Sequence, residues 1–171
     1  MRIDDRALVE YLRRSYHAVD GLWFVKVEED HGFEAALEFD QRVWQVLAKI
    51  QARKARELTN ACDNGPETLA RCFTLKLTAD GHDFAAEVTG EGVLFRIAEC
   101  PWLALLRKAG RTHLAQPIAE AVCRTEGNVW CAEFGGAYVF DMPQMSCAGG
   151  TECHMRFTRQ AVAGLGPAEG R

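Results

Sequence analysis

Several features are missing from this chain of 171 residues, and each absence removes a class of protein. No apolar run approaches the roughly 20 residues that span a bilayer, so no membrane-crossing helix is expected. Met1 to Arg6 carry acids and no apolar stretch, so no secretory signal is expected and the cytosol is the expected compartment. An excess of positive charge is lacking too: 20 Lys and Arg face 24 Asp and Glu, for a net charge of −4. Neutralising phosphates needs a basic surface, so nucleic-acid binding is not the expected task. There is no internal repeat, and neither a Gly-x-Ser-x-Gly nor a His-Glu-x-x-His motif is present.

What is present fits one soluble α+β domain. The hydrophobic fraction of 48% and charged fraction of 26% are ordinary for a globular protein with room for a core. Seven cysteines stand out. In a reducing compartment their odd number argues against a disulfide framework. Metal ligation, a reactive thiol, or burial as small apolar residues are the readings left.

Along the chain, Asp4 or Asp5 can cap a first helix to about His17, and Asp20-Gly21 reads as punctuation before a second helix over 22–31. A longer helix is expected over 34–58, with Ala36, Leu37, Val43, Trp44, Leu47 and Ile50 recurring at three and four. Acids from Glu28 to Asp40 precede bases from Arg42 to Arg56, which suits the helix dipole. A carboxylate metal site from Glu28, Glu29 and Asp40 is the sharper alternative, but it lacks the Glu-x-x-His spacing of di-iron bundles. Pro66 starts a helix whose end is ambiguous, because Thr74 to Thr78 also alternates like a strand. Residues 84–88 and 93–97 flank Thr89-Gly90-Glu91-Gly92, which is a hairpin signal. Pro101 opens a helix to Gly110, and another is expected from Pro117 to Phe134, weakened at Gly127. Two strands, 137–142 and 152–158, close the domain.

The expected architecture is therefore a four-stranded antiparallel sheet in the order β-β-α-α-β-β, with helices on one face and a helical N-terminal segment. The domain covers 1–160, helical over 1–79 and sheet-containing over 80–160, with 161–171 as a loose tail.

Cys100, Cys123, Cys147 and Cys153 fall at element junctions, where side chains can converge. Four thiolates hold zinc tetrahedrally in closed structural sites, and iron–sulfur clusters use the same donors. Cys147-x5-Cys153 is looser than C-x2-C, so separate buried or reactive thiols stay open as the alternative. Cys131 lies about 80° around the helix from Cys123 and does not share its face. Glu120 is one turn before Cys123 and is a possible oxygen ligand, while His113 and His154 are the nitrogen candidates. Cys62 and Cys72 read as structural.

Ala18-Val19-Asp20-Gly21-Leu22-Trp23-Phe24, Cys100-Pro101-Trp102 and Cys147 to Phe157 resemble an uncharacterised bacterial and archaeal family. Its relatives are L-2-amino-thiazoline-4-carboxylate hydrolase-like. The Cys147, Gly149-Gly150, Cys153 arrangement also resembles the end of the 4-vinyl-reductase sensor domain, a small-molecule-binding fold related to trafficking-particle (TRAPP) subunits. That resemblance implies a zinc site using Cys123, Cys147 and Cys153. Where those sensors carry a glutamate this chain has Gln144, so Cys100 becomes the implied fourth ligand.

Three functions are expected in turn. The first is a zinc-stabilised sensor-like domain binding a small apolar or aromatic molecule, with Trp23, Trp44, Trp102, Trp130 and Phe134 as pocket candidates beside their ordinary role as core fillers. The second is a hydrolase of a small cyclic substrate such as a thiazoline carboxylate, using Cys131 or Cys100 with His113. The third is a homodimeric interaction module whose first helices form the interface.

Overall fold

The computed structural model describes residues 3–160; the expected tail at 161–171 lies outside the described residues. Helix α1 spans Asp5–His31 and α2 spans Phe33–Leu58, joined at Gly32 with φ 85°. Asp4 caps α1 by accepting from the Arg6 N–H. The expected break at Asp20-Gly21 does not occur. A helical glycine costs about 1 kcal/mol against alanine, and here tertiary contacts outweigh it. Trp102 Nε1 donates to Asp20 Oδ2 at 2.8 Å, and Arg111 pairs with Glu28 one helical stretch later.

Helix α3, Pro66–Asp80, runs straight through the ambiguous Thr74–Thr78 stretch and stops at Gly81 in the left-handed region. A helix wins there because it buries Leu77 and Lys76 on one side and places Asp80 one turn beyond Lys76. Arg13 of α1 then covers the end of α3, donating through Nε to Ala79 O at 2.8 Å and through Nη2 to Thr78 O at 3.0 Å. These are carbonyls a helix end leaves open.

Strands β1 (Asp83–Thr89) and β2 (Gly92–Glu99) form the expected hairpin. Helix α4 is Pro101–Lys108. A short α5, Ala115–Ile118, continues through a π turn at Ala119–Cys123 into α6, Arg124–Glu133. Strands β3 (Tyr138–Gln144) and β4 (Cys153–Arg159) complete one antiparallel sheet in the order β1-β2-β4-β3. Pro143 sits inside β3 rather than closing it. It is tolerated because β3 is an edge strand and its register slips between Asp141 and Gln144.

Helices cover one face of this sheet. Val93, Phe95, Ile97, Phe140, Met142, Met155 and Phe157 alternate inward and are buried against α3 and α6. The opposite face carries the Arg96–Glu87 and Arg156–Asp141 pairs in water. Phe73 is the hub, its ring within 5.0 Å of the rings of Phe95, Trp130 and Phe157. Gly127 lets α6 lie flat on the sheet: a Cβ there would fall 2.3 Å from the Phe140 ring. The glycine that reads as a weak point in a helix is what allows close helix–sheet contact.

Candidate functional site

A cavity of about 100 Å³ lies between α1, α2, α4, the α5–α6 segment and the sheet. Its two ends differ in chemistry, with carboxylates at one and thiols at the other.

At the carboxylate end stand Asp20, Asp40, Lys76, His82 and Glu126, with Trp44 and Trp102 between them. The two indoles meet edge to face at 5.6 Å. Lys76 Nζ lies 2.7 Å from Glu126 Oε1 and 3.1 Å from Asp80 Oδ2, all three side chains being at most 5% exposed. Burial opposes the Lys76 charge, but Glu126 and Asp80 more than offset it and hold the amine protonated above its usual range. One lysine is shared by two buried acids, and among the described residues Asp20 and Asp40 have no cationic partner within ion-pair distance. Burial raises Asp20, with Trp102's hydrogen bond acting against it. Burial and then the Asp20 charge push Asp40 up to about 7. Glu126 is raised by burial against the pull of Lys76. Burial and Lys76 drive His82 down to about 3, so it is neutral.

At the thiol end Cys100, Cys123, Cys147 and Cys153 all line the cavity. They nevertheless do not form the expected zinc site. Among the described residues no group of three or more His, Cys, Asp or Glu side chains is placed to hold a metal ion. A tetrahedral site needs every sulfur about 2.3 Å from one point, whereas the Cys153 sulfur is already engaged by the Ser146 N–H and hydroxyl, each at 3.1 Å. The metal-stabilised sensor reading is corrected accordingly. Burial raises Cys100 and Cys123, which favours the neutral thiol. Cys147 is raised first by its hydrogen bond to Cys153 and then by burial. Cys153 is the acidic member of that pair, because Cys147 and Ser146 both donate to it.

The remaining candidates are scattered. Of the five proposed pocket aromatics, Trp44 and Trp102 line the cavity. Trp130 and Phe134 are fully buried in the main core, with Arg56 lying 4.6 Å over the Phe134 ring. Trp23 is 70% exposed on α1. Cys131 is buried, its thiol pushed up to about 12 by burial, while His113 is exposed on the turn Thr112–Leu114. His154 is held by Glu152 at 2.6 Å. Glu120 hydrogen-bonds Gln116 on the surface, and Glu28 is taken by Arg111. Cys72 is buried beside the Thr59 hydroxyl at 3.2 Å, and Cys62 is exposed.

A second feature lies on the outside. An apolar groove runs between α1 and α2, lined by Val19, Trp23, Phe39, Val43 and Leu47. Asp20 and Asp40 line this groove as well as the inner cavity, so they form the wall between the two.

The chain is an antiparallel sheet covered on one face by helices and preceded by a long helical hairpin. It belongs to a family of unknown function, DUF6125, whose model matches residues 3–142. No curated protein and no solved structure matches it. The matched segment takes in the hairpin, the carboxylate end of the cavity, Cys100 and Cys123, and ends before Cys147 and Cys153. No helix among the described residues is long and apolar enough to cross a membrane.

Proposed function

We propose that this domain is a homodimeric module of the cytosol, in which α1 and α2 of two copies pack as a four-helix bundle. The observation that carries this reading is a pair of apolar stripes facing away from the protein's own body. On α1 the stripe is Leu8, Leu12, Val19 and Leu22, with Ser15 in register and Tyr11 and Trp23 beside it; all the apolar members are exposed. On α2 it is Phe39, Val43, Val46 and Ile50, again exposed. Both run at alternating spacings of four and three, the 3.5-residue repeat by which one helix seats on another.

Helix α1 is thus apolar on two sides. Its inner side, with Tyr16, His17 and Phe24, packs within the chain. Among the described residues, its outer side is left exposed. An isolated monomer rarely leaves so many large apolar side chains in water on one face. A two-fold axis through the groove would present each stripe to its copy, the self-complementary geometry of a symmetric dimer. Trp23 is the natural anchor, since a large aromatic side chain buried at an interface contributes most. A reducing cytosol suits the seven cysteines, all free.

Thermal unfolding at several chain concentrations tests this. A dimer that unfolds to monomers has a midpoint that rises with concentration. Leu22→Glu combined with Val43→Glu should remove that dependence while the folded circular-dichroism spectrum persists. A wild-type midpoint that does not move with concentration would defeat the reading.

A further inference from the structure

We infer that the inner cavity is a binding site for a small organic cation, an alkylammonium whose charged head is held by Asp20 and Asp40 against the faces of Trp44 and Trp102. This departs from a purely apolar ligand.

The first support is the charge inventory. The groups facing the carboxylate end are Asp20 and His17 from α1, Asp40 from α2, Lys76 and Asp80 from α3, His82 from the following turn, and Glu126 from α6. Both histidines are pushed towards the neutral form, chiefly by burial. Four carboxylates then face one ammonium, and that ammonium is committed to Asp80 and Glu126. Buried carboxylates without a counter-charge are costly, and here the cost is visible in the upward shifts of Asp20 and Asp40.

The second support is unused hydrogen-bonding capacity. Glu126 Oε1 is buried on the cavity wall, and a carboxylate oxygen that takes one donor keeps a lone pair for another. Glu126 is 3% exposed, and its Oε1 takes the Lys76 ammonium at 2.7 Å. It can still accept from a donor in the cavity.

The third support is the wall. Indole faces are the strongest aromatic partners of organic cations. Lys76 already uses this chemistry, its Nζ 5.8 Å from the Trp44 ring. Beyond the tryptophans the lining turns apolar at Leu103, Leu106, Ile118 and Val122. The volume of about 100 Å³ is below that of an engineered 150 Å³ cavity that takes benzene, so the ligand has about four or five heavy atoms. Asp20 and Asp40 sit where the cavity meets the α1–α2 groove, so the charged head lies at the mouth and the alkyl tail points inward.

The test uses the full chain and three four-carbon probes, n-butylammonium and 1-butanol of five heavy atoms each and the six-atom anion butyrate, titrated by calorimetry and by indole fluorescence. Butylammonium should bind at least tenfold more tightly than butanol, and butyrate should not bind. Its affinity should weaken as pH falls below about 7, where Asp40 takes up a proton. Asp40→Asn should lose at least tenfold for butylammonium and leave butanol unchanged. Leu106→Trp fills the cavity and should abolish binding of every probe, which separates cavity binding from ion pairing at the surface. Each variant is first shown to be folded by its unfolding transition. Equal affinity for butanol and butylammonium, an unaltered affinity in Asp40→Asn, or no butylammonium binding by the folded wild type would overturn the inference.

Discussion

The inner and outer faces of α2 use the same kind of side chain to opposite effect. Inward, Ala48, Ala52 and Ala55 are small and wholly buried, so the helix lies close against α3 and α6. Outward, Phe39, Val43, Val46 and Ile50 are large and half in water. Burial of apolar area contributes about 25 cal/mol per Å², so the inner face is already using its contribution and the outer face is not. Apolar spacing on a helix therefore reports how many surfaces it can cover; on α2 the alanines mark the surface packed within the chain, and Trp44 is its one large buried side chain. Small residues allow backbones to approach within a domain; large exposed ones are available to a partner.

Substitutions on the two sides should part clearly. The largest loss is expected for Phe73→Ala, because that ring is fully buried among three others. Urea unfolding should show a cost of about 3–5 kcal/mol. Gly127→Ala comes next: the added methyl must displace Phe140, and overpacking of this kind costs about 1–3 kcal/mol. An unchanged urea midpoint in either variant would mean that the inner packing is looser than described.

Asp40→Asn should move stability the other way. The folded chain holds the Asp40 proton up to about pH 7, against an ordinary value of 3.8. Between those values the folded state binds a proton the unfolded state has lost, so this group's contribution falls as pH rises through the window and stays lower above it. Asparagine has no such proton. The variant should match the wild type near about pH 4 and be more stable by on the order of 1–2 kcal/mol near about pH 8, with partial exposure of the carboxylate limiting the gain. Parallel curves for the two proteins from acid to base would contradict the assigned environment of Asp40. The smallest effect belongs to the outer face. Val46→Ser should change the stability of the dissociated chain by less than about 0.5 kcal/mol, and should weaken only the association.

The sequence made some of this legible and hid the rest, for identifiable reasons. The hairpin of β1 and β2 was readable because its turn residues act locally. The start of α3 at Pro66 was readable for the same reason. The continuity of α1 through Gly21 was not, because what holds it, Trp102 on Asp20, comes from a residue 82 positions away. The Thr74–Thr78 stretch was ambiguous because Lys76 looks like the polar position of a strand, yet its ammonium is buried between two acids.

The candidate site was half visible. Cys100, Cys123, Cys147 and Cys153 do line one cavity, and their positions at element junctions suggested that much. Distances between sulfurs are not written in spacing, and these thiols do not make a ligand set. Asp20 and Asp40 were concealed in plain view: one read as a turn residue, the other as part of a solvated acidic block. The i, i+4 relation of Asp40 to Trp44 was the only local signal that this acid faces inward. Trp23, a pocket candidate, lines the outer α1–α2 groove and not the inner cavity.

The most direct test of the account is the solution mass of the chain, measured by sedimentation equilibrium for the wild type and for the Leu22→Glu, Val43→Glu double variant. The wild type should weigh twice the 19.0 kDa of one chain, and the variant should weigh 19.0 kDa with its fold intact. A wild type that sediments as a single chain at every concentration would contradict it.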